Sequence, residues 1–132
     1  MLKGPISILE EDEGVQALVG RNKADQKYKV YPVVSPQPEN IPYVTVILTG
    51  KIKAGKDCGF NCTFDVRSYA VNYDDVEALD LACVAALDEQ GNGTFNEVAM
   101  GYINHENTAD AFIAEPKPMY VKVSTFSTQV EE

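Results

Sequence analysis

Apolar and polar residues alternate most regularly in "FNCTFDVRSYA", residues 60–70. Phe60, Cys62, Phe64 and Val66 fall on one side, Asn61, Thr63, Asp65 and Arg67 on the other. Period two predicts a strand with one face in a core. "IPYVTVILTG" predicts a second strand, with Val44, Val46 and Leu48 on one face. "YKVYPVV" is also extended, but Pro32 has no N–H to give to a ladder and marks an edge strand or a strand end. "EVAMGYINHENT" and "MYVKVSTFSTQV" are two further strands, the second with Val121 and Val123 on one face. Between them "ADAFIAEPKP", with two prolines, reads as a connection. "RNKADQK" reads as a polar loop, "SPQPEN" as a stiff connection, and "GKIKAGKDCG", residues 50–59, as a hairpin tip.

The period changes in "SYAVNYDDVEALDLACVAALDEQGNG". On a helical wheel Val76, Leu79, Cys83, Ala86 and Leu87 fall within an arc of about 100°, the stripe that packs on a sheet. A main helix over about residues 74–89 follows. Asp74 or Asp75 is expected as its N-cap, with a carboxylate accepting a backbone N–H at the positive end of the helix dipole. Gly91 and Gly93 are placed to end it. The two aspartates are thereby capping residues rather than a metal or acid/base pair. A shorter helix is expected over residues 5–19, "PISILEEDEGVQALV", with Pro5 in its first turn, Ile6, Leu9 and Leu18 on one face, and Gly20 as its stop. Gly14 counts against it, since glycine costs about 1 kcal/mol relative to alanine inside a helix.

Strands joined by hairpin-length connections and interrupted by helices predict an α+β domain. It has a mostly antiparallel sheet, with the N-terminal helix and the main helix packed on one face. The 132 residues match one domain, 1–132, and 45% of them are hydrophobic, which favours a folded chain over a disordered one. No apolar run approaches the roughly 18 residues of a membrane span. The N-terminal stretch turns acidic early and lacks a small-residue cleavage site, so we expect no signal peptide and synthesis in the cytoplasm.

Eleven Lys and Arg against twenty Asp and Glu give a net charge of −9, which argues against broad binding to nucleic acid, since that relies on Lys and Arg neutralising phosphates. The acidity serves solubility, or a surface past which DNA slides without sticking. Lys51, Lys53 and Lys56 form the one basic cluster; such lysines keep an edge soluble, or they make a contact loop for an acidic neighbour or DNA. Ala78, Leu81 and Ala85 lie on the side of the main helix opposite its apolar stripe, where charge is usual. Alanine is a good helix former, and small residues there also let another subunit approach closely.

Chemistry-bearing constellations are weak. Cys58, Cys62, Cys83 and His105 are the types of a Cys₃His zinc site, but Cys62 points with Phe60 and Phe64 into the core and the spacing is poor. We expect no metal and no cofactor. No G-x-S-x-G, Walker loop or H-E-x-x-H occurs, and "GNG" at 91–93 follows a helix where a dinucleotide fingerprint would open one. Three cysteines, an odd number, suit a reducing compartment. We expect no catalytic residues.

One resemblance spans roughly residues 5–128. It rests on four features in order. A short N-terminal helix precedes "VYPVVSPQPENIPYVTVILTG", where Pro-Tyr-Val opens a strand. The strand-to-helix unit "FDVRSYAVNYDDVEALDLACVAALD" and the closing "TADAFIAEPKPMYVKVSTFSTQV" follow. This order resembles the tail-completion proteins of long-tailed bacteriophages and prophages, the tail-to-head joining or tail-terminator group. The resemblance implies a structural virion protein of the neck or tail that forms a ring, usually a hexamer. Such a ring caps the tail tube protein, meets the head-side connector or stopper, and passes DNA through its lumen. It implies no catalytic residues. The alternatives are another neck protein, a stopper or connector, or a small protein-binding or regulatory module of a mobile element.

Overall fold

The computed structural model describes residues 3–20, 28–32, 41–53, 59–88, 91–95, 98–114 and 118–131. The N-terminal helical pattern is realised as two helices, α1 (Lys3–Glu11) and α2 (Glu13–Val19). The break falls at Asp12, whose extended backbone and side chain cap α2 by accepting the Val15 N–H at 3.0 Å. Restarting the helix there resets its phase. Leu9, Val15 and Val19 are buried, while Leu18, expected on the apolar face, is exposed. Gly20 ends α2 as anticipated, at φ 69°, a conformation that favours glycine.

Among the described residues seven strands follow: β1 (Val30–Pro32), β2 (Tyr43–Lys53), β3 (Phe60–Ala70), β4 (Gly91–Phe95), β5 (Val98–Tyr102), β6 (Asn104–Ile113) and β7 (Met119–Glu131). They form one sheet in the order β1-β2-β3-β7-β5-β4, with β6 also paired to β7. Every pairing is antiparallel except β1 with β2, so the sheet is mixed. Pro32 sits at the end of the edge strand, as its missing N–H requires. β5 and β6 run along the same side of β7, β6 against residues 119–127 and β5 against Val130 and Glu131.

Between β3 and β4 lies α3 (Tyr73–Leu87), packed against β3 and β7. Its predicted stripe of Val76, Leu79, Cys83, Ala86 and Leu87 is buried. The core beneath includes Val44, Val46, Phe64, Val66 and Phe126, with Phe64 and Phe126 stacked at 5.4 Å. Strand alternation puts a second cluster on the opposite face: Tyr31, Tyr43, Tyr69, Met119 and Val121. Tyr43 and Tyr69 face each other across β2 and β3 and stack at 4.5 Å.

Four expectations need correction. The N-cap of α3 is Asn72, and Asp74 and Asp75 stand inside the first turn. There they still meet the helix dipole, and Asn72 Nδ2 donates to Asp75 Oδ2 at 3.2 Å. The helix stops at Leu87 with Asp88 as C-cap, so Gly91 and Gly93 belong to β4 and do not end it. Lys51 and Lys53 extend β2 rather than occupy a turn; Lys56 lies outside the described residues, as do "RNKADQK" and "SPQPEN". Residues 109–113, expected in a connection, continue β6. That stretch shows no alternation because β6 is exposed on both faces from residue 106 to 112. Leu48 keeps the face of Val44 and Val46, opposite Phe64, but is exposed beside the bulge between Leu48 and Gly50.

Candidate functional site

The side of α3 facing β6 carries a polar seam. Tyr73, Asp80 and Asp88 recur at intervals of about two helical turns along it. Asp80 is buried at 4% exposure and accepts a hydrogen bond from Ser124 Oγ on β7 at 2.6 Å. Ser124 Oγ in turn lies 2.9 Å from Thr108 Oγ1 on β6, and Thr108 Oγ1 lies 2.7 Å from His105 Nε2. At the C-terminal end of the helix, Asp88 Oδ1 accepts the backbone N–H of His105 at 3.1 Å. At the N-terminal end, the Tyr73 hydroxyl donates to Asp110 Oδ2 at 3.3 Å, and Lys122 Nζ sits 2.8 Å from Asp110 Oδ1. The same ammonium lies 5.2 Å from the Tyr73 ring centre.

Burial raises the Asp80 carboxyl above its ordinary value, because charge is disfavoured away from water. The Ser124 hydrogen bond and the positive potential of Lys122 and His105 oppose that rise, and Asp110 adds to it. The hydrogen bond from Lys122 holds the Asp110 carboxyl below its usual range, and the same bond raises Lys122.

Asp, Ser, Thr and His side chains in one chain invite comparison with an activated nucleophile. The geometry does not match one. In a triad the imidazole lies between carboxylate and hydroxyl; here the imidazole touches Thr108, and Asp80 binds Ser124 directly. Ser124 is also fully buried, out of reach of a substrate. The seam acts as a set of cross-links, tying α3 to β6 and β7 at three levels.

The remaining surface features are apolar or basic. Ala78, Leu81 and Ala85 are exposed on the outer face of α3, Leu81 at 62%. Lys51 and Lys53 are exposed on β2, with Lys51 Nζ 4.3 Å from the Phe60 ring centre. The helix face and the lysine-bearing strand are thus separate surfaces. Tyr73, Phe112 and Tyr120 form an exposed aromatic group beside β6, with ring centres 5.8 Å apart for Tyr73 and Tyr120 and 5.2 Å for Phe112 and Tyr120. On the opposite face of the sheet an open groove of about 440 Å³ is lined by Ile52, Thr63, Tyr102, Asn104 and Gln129 among others, and no carboxylate, imidazole or amine lines it.

Among the described residues, no three His, Cys, Asp or Glu side chains gather as a metal site would. Cys62 and Cys83 are buried in the core, and Cys58 lies outside the described residues. No helix among the described residues is long and apolar enough to cross a membrane.

The seam was not anticipated from the sequence, although one signal was there. On the wheel that assigns the apolar stripe, Asp80 falls about 20° beyond Leu87 at 100° per residue, on the border of the packed stripe rather than on the outer face. A charge in that position calls for a buried partner. Which strand supplies the partner does not follow from a wheel.

No family model matches the chain, and no curated protein matches it. Among solved structures, a chain of the structure described as "Virion of native gene transfer agent (GTA) particle" has the same overall arrangement. It superposes with a TM-score of 0.67 at 18% sequence identity, over 98% of this chain and 92% of that one. The likeness is one of fold.

Proposed function

We propose that this chain is a structural subunit of a phage-like virion, a neck or tail-completion protein that assembles into a closed ring. The observation that carries the reading is the likeness, over nearly the whole of both chains, to a chain of a gene transfer agent virion. The order of motifs that resembles tail-completion proteins points the same way independently. In this role the ring, a hexamer if it follows the tail-completion proteins the chain resembles, joins the tail tube protein to the head-side connector, and DNA passes through its lumen. A net charge of −9 suits a surface that must not hold DNA.

A ring-forming subunit buries about 1,000 Å² or more at each contact and exposes apolar surface when alone. Leu81 between Ala78 and Ala85, and the aromatic group of Tyr73, Phe112 and Tyr120, are exposed surfaces of that kind. The Ala78, Leu81 and Ala85 face is one half of a subunit contact, and Lys51, Lys53 and Lys56 contact an acidic neighbour.

The test is absolute mass by light scattering on a sizing column, with negative-stain images of the peak. A ring of about six copies supports the reading. A monomer that also fails to bind purified tail tubes overturns it in favour of a small regulatory module.

A further inference from the structure

We propose that the edge of β6 that no described strand meets pairs, in a second copy of this chain, with the stretch of β2 that no described strand covers, so that neighbouring sheets join edge to edge. The inference rests on the reading that the chain builds a closed assembly, and it names the surfaces that close it.

Among the described residues both borders of the sheet are incomplete. β6 is ten residues long and pairs with β7 on one side; on its other side no strand meets it among the described residues. Natural edges of that length are normally shortened, covered or interrupted by proline. This one has no proline, and its only irregularity is a bulge near one end, between His105 and Asn107. The polar seam holds β6 against α3 and β7, so the edge is presented on a fixed support. At the opposite border the described part of β1 lies beside Val44, Thr45 and Val46 of β2. Residues 47–53 of β2 have β3 on one side and no described strand on the other.

Chain direction allows the match. β2 is antiparallel to β3, β3 to β7, and β7 to β6, so β2 and β6 run oppositely. A β6 laid beside the β2 of the next copy continues the antiparallel alternation without a break. Residues 108–111 of β6 then face residues 50–53 of β2, on the C-terminal side of the bulge between Leu48 and Gly50.

Side-chain chemistry selects a register. Thr108 and Asp110 stand on the helix-bearing face, where they meet Ser124 and Tyr73. Lys51 pairs across the strands with buried Cys62 and Lys53 with Phe60, and Cys62 and Phe60 both contribute to the core under the helices. Directly opposed residues share a face, so the lysines stand on the same face as Asp110. Setting Asp110 opposite Lys51 brings Thr108 opposite Lys53 and, on the other face, Ala109 opposite Ile52. Ile52 is 71% exposed, the most exposed of the large apolar residues described. One register therefore joins opposite charges on one face and covers Ile52 with alanines on the other. A slip by one residue loses both, because it exchanges the faces. Asp110 already accepts from Lys122 and Tyr73, and a carboxylate has lone pairs for a further donor.

The two free stretches lie at opposite ends of their borders, β6 toward Met119 of β7 and β2 toward Phe60 of β3. Joining them displaces each copy along the strand direction, and a closed sheet absorbs such a stagger by tilting its strands. Each copy offers one edge of each kind, which makes a head-to-tail contact able to close into a ring.

The test is a pair of cysteines, Ala109→Cys and Ile52→Cys, in a Cys58→Ser background, treated with a short bismaleimide and resolved on a denaturing gel. A ladder of covalent oligomers that needs both cysteines supports the pairing. Assembly of full mass with no ladder overturns it and leaves the ring reading standing, with other surfaces making the contact. Absence of assembly, alone and on tail tubes, overturns both. The Asp110→Lys variant supplies a second arm: the inference expects at least tenfold weaker assembly and recovery on adding Lys51→Asp. A far-UV spectrum confirms that each variant folds; unchanged assembly by a folded Asp110→Lys variant counts against the pairing.

Discussion

Ser124 on β7 and Asp80 on α3, 44 residues apart in the chain, share a hydrogen bond of 2.6 Å inside the protein. The bond reaches the surface through Thr108 and His105 of β6. It is the middle one of three ties along α3, with Tyr73 to Asp110 at one end and Asp88 to the His105 amide at the other. An edge strand exposed on both faces gains little from burial, and these ties hold it in place.

Asp80 makes the stability pH-dependent. Its folded carboxyl is raised above the ordinary value of 3.8 by burial, so just above 3.8 the folded chain holds more protons than the unfolded one. Stability then falls as pH rises from 3.8 through the raised folded value. Asp80→Asn keeps an acceptor for Ser124 and removes the ionisation. Urea midpoints between about pH 4 and about pH 7 should decline less steeply for the variant; equal slopes would count against a buried, ionising Asp80. Lys122, His105 and Asp110 remain in both proteins and cancel in the comparison.

Cys83 should be inert. Burial pushes its thiol up to about 12, so thiolate is scarce at neutral pH and reagent has no access. Iodoacetamide at about pH 8 should leave Cys83 unmodified in the folded protein and label it in urea, by peptide mass. Rapid labelling without denaturant would show that α3 opens from the sheet.

Phe64→Ala or Phe126→Ala should each cost about 3–5 kcal/mol, the range for deleting a buried aromatic ring. The two rings stack at 5.4 Å and both are fully buried, so the losses should not add in the double variant. Denaturant unfolding of the single and double variants measures this.

Leu81→Glu should leave the folded monomer within about 0.5 kcal/mol of the parent, since the residue is 62% exposed. If its face makes a subunit contact, association should weaken about tenfold or more, equivalent to about 1.4 kcal/mol. Sedimentation at several concentrations reads this directly, and an unchanged oligomer removes that face from the interface.

Strands and helices buried on one side were legible because burial imprints a period. β3 alternates over Phe60, Cys62, Phe64 and Val66, and α3 carries Val76, Leu79, Cys83, Ala86 and Leu87 at helical spacing. Where burial is absent the imprint is absent too. Residues 109–113 looked like a connection because solvent lies on both faces of β6, which is held by backbone pairing and by side chains distant in sequence. Capping was harder to read for a different reason. Asp12, Asn72, Asp74 and Asp75 are all suitable caps, and the choice depends on where the neighbouring elements bring the chain into helical conformation.

By itself the sequence determined an α+β chain with an antiparallel bias, the face of α3 that meets the sheet, and an acidic surface with one lysine-rich stretch. Those properties follow from composition and local period. Only the tertiary structure decided that β6 shares the side of β7 with β5, that Asp80 meets Ser124, and that the sheet of the described residues ends in two incomplete edges. These depend on which distant segments pair, and pairing is set by the packing of the whole chain.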